Sequence, residues 1–174
     1  MAGVFFAERA YMAGSTTKKV LVRRFDGQTV PGYAAPHSYL RSDGVEILTR
    51  EGQLLVIPYK DLKTVSFVRD FDTPAEEDEK RTFQSRPKLE GLWVRMRFRD
   101  DDVLDGILPN DLLQVNDHGV TITPPDPYSN NQKIFVARLA VREMTVLGVI
   151  GSPLHKPKAR RRPPAKEQIQ LFEN

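Results

Sequence analysis

Two stretches decide the fold when one is laid over the other. The first is Val20-Leu21-Val22-Arg23-Arg24-Phe25-Asp26-Gly27-Gln28-Thr29-Val30-Pro31-Gly32, and the second is Val94-Arg95-Met96-Arg97-Phe98-Arg99-Asp100-Asp101-Asp102-Val103-Leu104-Asp105-Gly106. At a constant offset of 74, Val20 falls on Val94, Asp26 on Asp100, Val30 on Leu104 and Gly32 on Gly106. One inserted residue later, Gly44-Val45-Glu46-Ile47 falls on Gly119-Val120-Thr121-Ile122. Four further insertions, in the loop 124–132, bring Leu62, Val65 and Phe67 onto Val141, Met144 and Val146. Glycines and apolar positions that recur in the same order and spacing predict an internal duplication.

Each copy alternates apolar and polar residues with the period of a half-buried strand. Val20 and Val22 face one way, Leu21 and Phe25 the other, and Val94, Met96 and Phe98 repeat the first set. Asp26-Gly27 predicts a two-residue hairpin turn with both central residues at positive φ. Gly32 and Gly106 fall inside the next strands, where glycine marks a bend that lets a sheet curl. Asp43-Gly44 and His118-Gly119 supply the following turns, and short strands are expected near 44–49, 53–57, 64–68, 119–123, 132–136 and 144–149. Five short strands per copy is the pattern of a small barrel. A short helix is expected before each: one over 4–13, ended by Gly14, and one opened by Thr73-Pro74-Ala75-Glu76, which reads as an N-cap, a first-turn proline and a capping-box glutamate. The expected organisation is mainly β: a first five-stranded barrel with its helix over 1–72, a second over 73–151, and a flexible basic tail over 152–174.

The 174 residues suit one mid-sized domain or two small ones, and no apolar run approaches the ~20 residues of a membrane-spanning helix. Glu8 and Arg9 stand where an export signal would have its apolar stretch, and there is no cysteine. Disulfides, thiolate metal sites and cysteine nucleophiles are therefore excluded, and a cytoplasmic location is expected. The net charge of +3 is unevenly placed. From position 156 onward there are six basic residues (Lys156, Lys158, Arg160, Arg161, Arg162 and Lys166) against Glu167 and Glu173, so the first 155 residues sum to −1. Basic character belongs to the tail, where Pro153, Pro157, Pro163 and Pro164 favour an extended chain. Such a tail should bind nucleic acid weakly and without sequence preference.

A helix followed by five bent strands, with a strand–Asp-Gly–strand–Gly opening, resembles the Sm-like (LSm/Hfq) small barrel, and other SH3-like barrels share much of the pattern. The residues that carry the resemblance are Val20-Leu21-Val22, Asp26-Gly27, Val30, Gly32, Val45, Ile47 and the closing segment Ile57-Pro58-Tyr59-Lys60-Asp61-Leu62-Lys63-Thr64-Val65. It implies a non-enzymatic protein that binds RNA on assembled barrels. The sequence departs from the family in a longer stretch between Gly32 and Val45, and it has Tyr59-Lys60-Asp61 where the Sm proteins place an arginine–glycine pair. Exposed barrel edges predict that the two units pair with each other or between chains to form a homo-oligomer.

A second resemblance lies in Gln168-Ile169-Gln170-Leu171-Phe172, which is similar to the bacterial sliding-clamp-binding pentapeptide. In that motif the glutamine, here Gln168, takes a polar subsite, while the residues matched by Ile169, Leu171 and Phe172 supply the apolar contacts. A proline-rich basic tether is a natural way to display a linear motif. The alternative is a C-terminal helix over 165–172 packed on the body.

Signals for chemistry are sparse. His37, His118 and His155 have no paired or helical spacing, and Asp100-Asp101-Asp102 with Asp105 lacks the distal glutamate of a calcium loop. No nucleophile elbow, phosphate loop or zinc-protease motif occurs, so neither an enzyme, a metal nor a cofactor is expected. Arg23, Arg24, Arg95, Arg97 and Arg99 read either as an anion-facing stripe or as a solvated barrel face. The stretch 123–131 reads either as a binding loop or as a stiff turn. The leading expectation is a nucleic-acid-associated adaptor tethered to the sliding clamp. The alternatives are an RNA-binding Sm-like protein and a protein-binding scaffold.

Overall fold

The structure, a computed structural model, describes residues 17–71, 80–111, 113, 115–126 and 128–151. Ten strands account for most of them. The first five are β1 (Lys18–Arg24), β2 (Thr29–Ala34), β3 (Gly44–Thr49), β4 (Leu54–Pro58) and β5 (Leu62–Val68). The second five are β6 (Gly91–Phe98), β7 (Val103–Leu108), β8 (Gly119–Ile122), β9 (Asn131–Ala137) and β10 (Val141–Ile150).

The two halves repeat pair by pair. In the first hairpin Val20 stands opposite Gly32 and Arg23 opposite Thr29; in the second, Val94 stands opposite Gly106 and Arg97 opposite Val103. The closing strands agree as well: Val20 pairs with Phe67 and Val22 with Val65, while Val94 pairs with Val146 and Met96 with Met144. The first hairpin turn is a correction: with Arg23 opposite Thr29 and Arg24 bonded to Gln28, the loop is Phe25-Asp26-Gly27, three residues rather than two, and Asp26 is not at positive φ. Gly27 alone takes it (83°), with the Arg24 amide donating to the Gln28 carbonyl at 2.9 Å. Its counterpart Asp101 takes φ 63°, held by the matching bond from the Phe98 amide to the Asp102 carbonyl at 2.8 Å.

Glycine at the bends answers a packing demand. A Cβ on Gly32 would meet the Leu48 carbonyl at 2.8 Å and Ile47, and one on Gly106 would meet Ile122, the residue equivalent to Ile47, at 2.5 Å. Gly44 and Gly119 lie equally close to the carbonyls of Ile57 and Val136.

Among the described residues no barrel closes, which corrects the expectation of two separate small barrels. One antiparallel sheet has the order β4-β3-β2-β1-β5-β9-β8 and the other the order β10-β6-β7. The physical reason is an edge already in use. The outer edge of β5, which would have to return toward β4 to close the first unit, pairs instead with β9, from Thr64–Val136 to Val68–Asn131. In the second unit β7 meets β8 through a single bridge, Ile107–Thr123, the counterpart of the Tyr33–Leu48 pair. Counting that bridge, the strands run in one series with β4 at one end and β10 at the other. The core is likewise continuous, with Val20, Ile47 and Val65 in the same cluster as Val94, Ile122 and Phe135.

The helix expected over 4–13 and the opening of the one expected from Thr73 lie outside the described residues, and Lys80 and Arg81, the first described residues after that opening, have irregular backbone. Among the described residues no helix is long and apolar enough to cross a membrane.

Candidate functional site

Comparing the two units position by position locates the site. Val65 of β5 is fully buried, but its counterpart Met144 on β10 is 49% exposed; Phe67 is partly buried, whereas its counterpart Val146 is 53% exposed. The same positions therefore build a closed interior in the first unit and an open one in the second. The opening is a groove of about 550 Å³ between β6, β7, β8 and β10, lined by Leu92, Val94, Leu108, Ile122, Met144 and Val146. A further space of about 280 Å³ continues from Val120 and Met144 to Val136 and Arg138.

Two side chains fill the first unit at the corresponding place. Tyr39, from the loop after β2, is 6% exposed and sets its ring edge-on against Phe67 at 5.4 Å and Phe135 at 5.8 Å. Burial pushes its hydroxyl pKa up to about 12, opposed by a hydrogen bond with Thr121. Phe135 comes from β9, where it stands opposite Val65. Among the described residues the second unit has no counterpart of either. Matching amide-to-carbonyl bonds, Arg41 to Gly44 and Asn116 to Gly119, put Gln114 at the position of Tyr39 in the sequence. Beyond β10 no further strand follows among the described residues. Chemically the groove can take apolar side chains and a β-strand.

Three of the five arginines that read either as an anion-facing stripe or as a solvated barrel face, Arg24, Arg95 and Arg99, are engaged by partners. Arg95 is bidentate on the fully buried Asp105 at 2.7 and 3.0 Å, which raises the guanidinium pKa further. Asp105 also accepts from the Phe83 amide at 3.2 Å, while its own amide donates to the Arg81 carbonyl at 2.8 Å. It thereby pins the segment entering β6. Arg24 pairs with Asp26, and Arg99 lies over Phe25 and donates to the Lys60 carbonyl.

The aspartate triplet is an ion-paired turn. Lys63 reaches Asp100 at 2.5 Å and Asp102 at 2.6 Å, Arg81 joins Asp102, and Arg142 pairs with Asp101. The hydrogen bond from Lys63 holds the Asp102 carboxyl below its ordinary range. Among the described residues no group of three histidines or carboxylates could hold a metal.

The remaining candidates join the two units. His118 stacks on Tyr59 at 4.5 Å, and His37 lines the groove. Asn130, in the loop before β9, accepts from the amides of Arg69 and Asp70 and donates to the Asp70 carbonyl, so this end of the loop is a turn bound to its neighbour. His155, the tail cations Lys156, Lys158, Arg160, Arg161, Arg162 and Lys166, and the peptide residues Gln168, Ile169, Leu171 and Phe172 lie outside the described residues.

Sequence reasoning missed the groove. A signal was available in the aligned copies, where Gln114 replaces Tyr39 and Met144 and Val146 replace Val65 and Phe67. No curated protein and no solved structure matches this chain. One family does, along residues 16–148, across both units and short of the tail. The chain belongs to that family, DUF6982, a family of unknown function.

Proposed function

We propose that the protein is a non-enzymatic, nucleic-acid-associated adaptor. Two Sm-like units, joined edge to edge, form its body, and a basic tail ending in a sliding-clamp-binding peptide makes its contacts. The observation that supports this reading is the distribution of charge. Cations of the body such as Lys63, Arg81, Arg95 and Arg142 are engaged with carboxylates, whereas 156–166 carries six cations and no acid. The tail would bind phosphates through screened, sequence-independent attraction, and the peptide would add a partner at high effective concentration. A second reading, an RNA-binding Sm-like protein, is favoured by the repeated strand order and register of the two halves.

One experiment separates the two. Binding of labelled single- and double-stranded DNA and RNA is measured across a salt series, for the full chain and for residues 1–155. A bacterial sliding clamp is titrated with a peptide of residues 165–174. The adaptor reading expects binding that falls steeply with salt and is lost on truncation, and saturable clamp binding abolished by Leu171→Ala with Phe172→Ala. RNA binding retained by residues 1–155 would establish the second reading in its place. Absence of clamp binding would remove the tether.

A further inference from the structure

We infer that the protein assembles head to tail, with the β4 edge of one copy pairing along β10 of the next and covering its groove. The template is the junction inside the chain. There β5 pairs with β9, and Phe135 of β9 enters the interior of the first unit beside Val65. The equivalent of β5 in the second unit is β10, and the equivalent of β9 in the first unit is β4. These are the two ends of the strand series. Among the described residues both halves of the internal interface therefore stand unpaired, at opposite edges.

Equivalence also fixes the register. Thr64 and Val136 pair inside the chain. Moving each to its counterpart, 79 residues away in opposite directions, places Glu143 opposite Ile57 of the next copy. Met144 then meets Val56, Thr145 meets Leu55, and Val146 meets Leu54. Exposure supports this pairing. Leu54 is 64% exposed, Val56 and Leu55 are exposed, and Met144, Val146, Leu147 and Val149 are exposed along β10. An edge without charge over Met144–Ile150 is one that proteins ordinarily blunt or cover. Val56 is the counterpart of Phe135, so pairing would carry it into the open interior of the second unit, as Phe135 enters the first. Exposed edge and open groove then have one cause. The contact joins two different edges, so it is heterologous, and each copy uses both. It is independent of what the tail binds.

The absence of cysteine makes the test clean, because introduced thiols have no competitors. Val56→Cys and Met144→Cys are prepared as separate full-length proteins, oxidised alone and mixed, alongside light scattering of the unmodified chain. Head-to-tail pairing expects a disulfide-linked dimer in the mixture and little in either protein alone. The unmodified chain should show a mass at least about twice that of one chain, returning to a single chain in Leu54→Lys with Val56→Lys. A single-chain mass at high micromolar concentration with no cross-link in the mixture would overturn the proposal. So would cross-linking of Met144→Cys with itself to the exclusion of the mixture, which marks a symmetric β10–β10 pair.

Discussion

Asp105 and Pro31 occupy the same position in the two copies, and the difference is chemical. Pro31 has no amide to donate, whereas the Asp105 amide and carboxylate together hold Arg81, Phe83 and Arg95. Its burial is tolerated because both oxygens are engaged and half of the Arg95 side chain remains in water. Asp105→Ala removes a charge-assisted bidentate bond and leaves the Phe83 amide without that acceptor. It should cost roughly 2–3 kcal/mol, read from urea unfolding. A loss below about 0.5 kcal/mol would mean that water replaces the carboxylate there. Arginine alternation along β6 was legible in the sequence. Its partner across the hairpin follows only from the register that sets Arg95 opposite Asp105.

At the scale of the strand, curvature is set by where a side chain cannot fit. Gly106 lies against Ile122, so Gly106→Ala forces a branched, buried neighbour to move and should cost roughly 1–3 kcal/mol. Gly148, at an irregularity in β10, has nothing nearer to its missing Cβ than Trp93 at 4.0 Å. Gly148→Ala should therefore change stability by no more than about 0.5 kcal/mol. Equal losses in the two variants, measured by thermal or urea unfolding, would show that backbone freedom rather than close packing selects glycine at these sites. The strand positions themselves were readable from period-two alternation, because each strand keeps one face in the core. The turn was only partly readable. Asp-Gly marked its place, but the positive φ sits at Gly27 and, in the second copy, at Asp101.

At the scale of the molecule, the two units share strands and core, so neither has a complete interior of its own. Phe135 lies beside Tyr39, His118 stacks on Tyr59, and Lys63 reaches the turn between β6 and β7. Urea unfolding should be a single transition. The fluorescence of Trp93, the sole tryptophan and a residue of the second unit, should trace the same midpoint as far-ultraviolet circular dichroism of the whole. Separated midpoints would show that the β5–β9 junction contributes little and that the units behave as independent domains.

The duplication, its offset of 74 and the strand positions were determined by the sequence alone, whereas the register within each hairpin was not, because the expected two-residue turn is a three-residue loop. The strand positions depend on neighbours close in the chain, because alternation chooses which face of a strand is buried. Tertiary structure decided which edge each strand presents to a distant one. With β5 captured by β9, the sheet runs on instead of closing. The same choice buries Val65 and leaves Met144 exposed, although both stand at one position of one repeat. The period-two alternation of the strand does not encode that difference, because burial depends on which remote strand arrives to cover an edge.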